Sequence, residues 1–224
     1  MGAVMTSVLP ARARLTGLSF LGAGILFVLY PVVRPYSDET SLSGAAAMAS
    51  PAWMAAHLFA VAGFVLLALG VLGLHLLLDP VLDRSLALRA AVVTWIGAGL
   101  TLPYYGAEVF GLNVIAARAV RDDDASLLAL ADEFRFGPAA VTMFVAGLAL
   151  LGLGTVLAAI AIARSGMLPR WSAAPLAAGF LLFIPQFFGP PAIRIAHGVL
   201  IALGAVWLTV ALWRLGRHSS SLAA

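Results

Sequence analysis

The chain has 224 residues, 62% hydrophobic and 10% charged, with thirteen arginines against ten acidic residues and a net charge of +3. Soluble domains carry about a quarter charged residues, and a mean hydropathy of +1.04 puts this composition in a membrane instead. Cysteine and lysine are both absent, which excludes disulfides, thiol nucleophiles, thiolate metal sites, lipoprotein anchors and the Schiff-base chemistry of retinal or pyridoxal phosphate. The arginines are thinly spread and form no polybasic surface, which argues against nucleic-acid binding. The bias toward Ala, Arg, Gly and Leu reads as a GC-rich, bacterial coding sequence.

A membrane-spanning helix needs roughly 20 apolar residues. Six stretches qualify: 15–33, 53–78, 90–112, 138–163, 172–188 and 195–213. The sequence therefore predicts an all-α, multi-pass fold, a six-transmembrane-helix bundle forming one integral domain over residues 1–224. The first stretch follows Arg12 and Arg14 as a signal peptide would. Its 19 residues and the distance to the Ala-x-Ala patterns around 45–49 favour a retained helix.

Orientation follows from the arginines. Arg12 and Arg14, Arg84 and Arg89, Arg164 and Arg170, and Arg214 and Arg217 place two on each segment assigned to the inside. By the positive-inside rule both termini are cytoplasmic, in the plasma (inner) membrane of a bacterium. Tyr30, Tyr36 and Trp53 anchor the outer boundary, and Trp171 and Trp213 the inner one.

Two outer loops join the spans. Residues 34–50, rich in Ser, Ala and Gly, read as an irregular cap. In the second loop, Asp122, Asp123 and Asp124 precede an amphipathic segment over about 122–136, expected to lie along the membrane surface as a linker or a lid.

Ionisable side chains intrude into the apolar stretches mostly toward the outer side. His57, Glu108, Arg194 and His197 all do so, whereas the inner halves hold His75. Thr101, Tyr104, Tyr105 and Glu108 share one helix face by their spacing. Glu108 would be costly in lipid and must face the bundle interior. It reads either as a proton- or cation-binding carboxylate or as a salt-bridge partner of Arg34 or Arg194.

An internal rhyme adds to this picture. Pro51-Ala52, Pro138-Ala139 and Pro191-Ala192 open the three outward-to-inward spans, and His57, Phe144 and His197 stand six positions after each proline. Pro31, Pro103 and Pro185 near the ends of the preceding spans should kink or end their helices. The pattern suggests three parallel helical-hairpin repeats and an outer-half cavity that satisfies the freed carbonyls. Gly63, Gly70, Gly73, Gly147, Gly152 and Gly154 read as close helix packing, not phosphate cradles.

The pocket expected from these residues is lined by His57, Tyr104, Tyr105, Glu108, Arg194 and His197, with Arg34 and Phe144 as weaker members. Binding or transport of a small molecule or ion, with proton- or cation-linked groups, is the leading reading. One alternative is a membrane redox protein holding a single haem or metal ion between His57 and His197, although nothing in the sequence requires a cofactor. Another is a non-catalytic structural or regulatory subunit whose outer loops dock a protein partner. No catalytic signature is present. Oligomeric state is left open by the sequence.

Overall fold

Proline and glycine set the limits of the helices in the computed structural model, which describes residues 2–78 and 84–221. The elements are α1 (Gly2–Val33), α2 (Leu42–Met48), α3 (Pro51–Leu78), α4 (Arg84–Gly106), α5 (Leu112–Asp122), α6 (Ala129–Phe136), α7 (Pro138–Ser165), α8 (Ala174–Leu181) and α9 (Pro191–Ser221). Helices α3, α7 and α9 each begin on proline, at the one helical position where a missing N–H costs nothing. The side chain of Arg84 lies outside the described part of the structure.

Five helical runs are long and apolar enough to cross a membrane: Leu9–Val33, Pro51–Leu78, Leu86–Asp122, Pro138–Ser165 and Pro191–Arg217. They mark the chain as a multi-pass integral membrane protein. The stretch 172–188, expected as a further continuous span, is instead a broken element. Helix α8 covers only Ala174–Leu181, and after a turn the chain continues as a 3-10 segment, Pro185–Phe188. The cause is Pro185, which has no N–H to give to the preceding turn. Approaching it, Leu182 N–H already reaches Gly179 O as well as Ala178 O, and Phe183 N–H turns to Phe180 O.

The third expected span, 90–112, is longer than its apolar core. Helix α4 passes through a π-helical turn, Ala107–Gly111, directly into α5 and ends at Asp122. Pro103 lies four residues before that turn.

The long elements and α8 close a ring in chain order. α1 packs on α3, α3 on α4, α4 on α7, α7 on α8, α8 on α9, and α9 back on α1. Phe20, Phe27, Phe64, Phe180 and Phe183 fill the ring's interior, with Phe27 edge-on to Phe64 at 5.0 Å. Leu15, Leu69, Trp95 and Leu203 stay exposed on its outside, where lipid would cover them. The α4–α7 seam is tight because glycine faces threonine there. A Cβ on Gly147 would collide with Thr101 Oγ1, and one on Gly154 with Thr94 Oγ1. Both hydroxyls donate back to their own helix, Thr101 to Gly97 O and Thr94 to Ala90 O, each at 2.8 Å.

One end of the ring carries a folded cap. Residues 34–50, expected to be irregular, contain α2, whose N-cap Ser41 accepts from Gly44 N–H at 3.2 Å. Asp124 starts the 3-10 turn Ala125–Leu128 by accepting from Ser126 N–H at 2.9 Å. Met48, Leu112, Ala116, Leu128 and Ala131 pack around Trp53 as a second small core. The buried residues Leu128 and Ala131 share a face with Arg135, which turns inward toward the bundle. Helix α6 thus packs its Arg135 face against the bundle.

Candidate functional site

A cavity of about 460 Å³ lies under this cap, bounded by α1, α3, α4, α6, α7, α9 and the Pro185–Phe188 segment. It brings together five of the six residues expected from the sequence, His57, Tyr104, Tyr105, Glu108 and Arg194, and also Arg34 and Phe144. His197 is the exception. It lines a separate void of about 10 Å³, room for one water molecule, beside Tyr30, Gln186 and Arg194. Its Nε2 donates to Gly179 O at 2.8 Å, and its ring meets Phe183 edge-on at 5.1 Å.

His57 is held differently. Its Nδ1 donates to Trp53 O at 2.8 Å, its ring lies 4.4 Å from the indole, and it is 3% exposed. Equivalent positions in the Pro-Ala pattern thus have unlike surroundings. Each imidazole gives one ring nitrogen to a backbone carbonyl, and the two rings line different voids. His75 stands apart, packed near Leu74, Leu78 and Ala87 at the far end of the bundle.

The wall of the cavity is a chain of four alternating charges. Arg34 Nη2 meets Glu39 Oε1 at 2.5 Å, and Glu39 Oε2 meets Arg135 Nη1 at 2.8 Å. Arg135 then clamps Glu108 with two bonds, Nε to Oε1 at 2.6 Å and Nη2 to Oε2 at 2.7 Å. This corrects the expected partner of Glu108, which is neither Arg34 nor Arg194. Both oxygens of the Glu108 carboxylate are engaged by one guanidinium, the geometry of a strong bidentate pair.

Glu108 also sits in the π-helical turn, a distortion found often at functional sites. Its carbonyl accepts from Trp53 Nε1 at 3.0 Å. The guanidinium of Arg34 lies 4.4 Å above the same indole. Trp53, fully buried, therefore joins both ends of the charge chain.

Arg194 is set apart from these pairs. It donates from Nη2 to Phe187 O at 2.8 Å and from Nε to Gly189 O at 3.2 Å, and no carboxylate among the described residues lies within ion-pair distance. The Tyr105 hydroxyl is buried and faces that of Tyr30 without a hydrogen bond of normal geometry. Tyr104 stacks on Phe144 with ring centres 4.1 Å apart.

Arg135, Glu39 and Tyr30 also line the cavity and are not among the members expected from the sequence. Arg135 had a legible signal: it follows Leu128 and Ala131 at helical spacing, a charge on the apolar face of an amphipathic helix. Nothing in the sequence joins Glu39 to residues 69 and 96 positions away.

Burial alone would raise the Glu39 carboxyl, but the guanidinium groups of Arg34 and Arg135 outweigh it and hold the pKa below the ordinary carboxylate value. A depressed folded-state pKa contributes stability above the unfolded value and loses it as pH falls through the folded one. Thermal unfolding of the purified protein should therefore be level near pH 7 and decline as pH drops below about 4.3. Glu39→Gln should flatten that acid limb, and an unchanged limb would remove Glu39 as its source.

No known family, curated protein or solved structure matches the chain. Fold and site by themselves define the class: a multi-pass helical membrane protein with a capped, charge-lined cavity near one end of its bundle.

Proposed function

We propose that this chain is a six-crossing plasma-membrane protein, with both termini in the cytoplasm, that binds or transports a small molecule through the cavity beneath its outer cap. The observation that carries the reading is the cavity itself: about 460 Å³ in size, within the ordinary range for small-molecule sites, and walled by aromatic rings and a buried charge chain.

The sixth crossing is the broken element. Leu176 lies beside Gly204 and Arg194 bonds Phe187, so this segment runs antiparallel to about ten residues of α9, some 15 Å. Non-helical backbone at membrane depth is tolerated where it lines a cavity, as Ile184, Phe187 and Phe188 do. The charge asymmetry supports the orientation. Since the chain has no cysteine, Ser126→Cys gives a single-thiol protein. A membrane-impermeant maleimide added to intact cells should label it, and labelling only after lysis would invert the topology.

Binding is tested by a thermal-shift screen of a diverse small-molecule library against the wild-type protein and Phe144→Trp, which fills the cavity. At least one compound should raise the wild-type Tm by several degrees and leave the variant unmoved. A screen in which every stabilising compound acts equally on both would sink the proposal.

A further inference from the structure

The mouth of the cavity has the wrong chemistry for a ligand arriving from water. Its rim is formed by Phe136 (70% exposed), Val141, Val145 and Phe188 (88% exposed), all apolar. Val141 and Val145 fall in the first two turns of α7, a helix of 28 residues that is apolar almost throughout. The opposite lip is the Pro185–Phe188 segment, whose Phe187 ring lies 5.7 Å from that of Phe144 on α7. With α7 read as a membrane span, these lips open toward the bilayer.

Behind the apolar rim the cavity turns cationic. Three arginines, Arg34, Arg135 and Arg194, stand against two glutamates, Glu39 and Glu108, so one positive charge is left over. The surplus lies at the Arg194–Arg34 side. Arg135 is engaged by Glu39 and Glu108, Arg194 meets two backbone carbonyls and the Tyr36 ring but no carboxylate, and Arg34 has a buried Nε without a partner. A half-buried guanidinium that meets carbonyls and a ring but no counter-charge is costly to keep. It also stands against the helix dipole, four residues into α9 at the positive N-terminal end. An anionic group placed there would relieve both. Tyr104, Phe144 and Phe187 line the path from rim to charge with aromatic surface.

We infer that the ligand is an amphiphile with an anionic head and an apolar chain, which enters sideways from the outer leaflet between α7 and the Pro185–Phe188 segment and places its head on Arg194. This rests on the small-molecule reading above and narrows it to a chemical class and a route.

The test uses the full chain in phosphatidylcholine nanodiscs with two photoprobes, a long-chain carboxylate bearing a mid-chain diazirine and the matching primary alcohol. The carboxylate should label residues 141–145 and 184–188 at least ten-fold more than the alcohol does. Arg194→Gln should bring that ratio close to one, while Arg194→Lys, which keeps the charge, should preserve most of it. Val145→Trp, remote from the charges, should block labelling by narrowing the mouth. Millimolar inorganic phosphate should not displace the carboxylate. Equal labelling by both probes in the wild type, displacement by phosphate, or labelling spread evenly over the lipid-facing surface would each overturn the inference. A water-soluble hit in the thermal-shift screen combined with equal probe labelling would leave the cavity a binding site and remove only the amphiphile.

Discussion

Arg135→Ala is expected to destabilise the protein by about 3–5 kcal/mol, the usual cost of leaving one member of a buried ion pair alone. The side chains concerned are shielded, Arg135 at 12% and Glu108 at 7% exposure. The variant leaves both oxygens of Glu108 without a donor and removes one of the two cations of Glu39. Chemical unfolding of purified protein in mild detergent measures the loss. Adding Glu108→Gln to the variant should recover much of it, because the stranded charge disappears with the carboxylate. Arg135→Lys should fall between the wild type and Arg135→Ala, since an ammonium cannot reproduce the two parallel bonds of the guanidinium. A loss below about 1 kcal/mol for Arg135→Ala, the range of exposed pairs, would mean that the clamp on Glu108 is absent in solution.

That expectation turns on a residue the sequence did not bring forward, and the reason is physical. Tyr104, Tyr105 and Glu108 were legible together because helical periodicity fixes which side chains share a face. His57 and Arg194 joined them because hydropathy fixes depth along a span. Arg135 and Glu39 come from the two loops, where neither rule operates. Their meeting depends on how α2, α5 and α6 fold over Trp53, and that is decided by long-range packing.

Hydropathy also fails to separate a continuous span from a broken one. Residues 172–188 are apolar whichever they form, and only Pro185, with Leu182 and Phe183 already tightening ahead of it, tells them apart. The π-helical turn at Ala107–Gly111 leaves no mark in hydropathy, since the residues beside Glu108 in it are all apolar or small and carry no phase. The Pro-Ala pattern groups His197 with His57. Depth is all that pattern can give, and the azimuth of each ring around the bundle was left to Gly179 and Phe183 in one case and Trp53 in the other.

Trp53→Ala should be as damaging as the loss of Arg135, by a different route. Truncating a fully buried tryptophan costs about 3–5 kcal/mol through lost apolar contact and the cavity left behind. Here two further effects add to it. The Glu108 carbonyl loses the indole N–H, and Arg34 loses the aromatic face 4.4 Å beneath its guanidinium. Trp53→Phe separates the contributions, since it keeps most of the volume and removes the donor; a loss of about 0.5–1.5 kcal/mol is expected for the missing hydrogen bond. The double variant Trp53→Ala/Arg135→Ala should cost less than the sum of its parts, because both side chains hold the same residue, one by its backbone and the other by its carboxylate. Strict additivity would show that the cap is fastened to the bundle at two independent points. Sub-additivity would place the fastening at Glu108, and any ligand that pulls on Arg135 would then be felt through the lid.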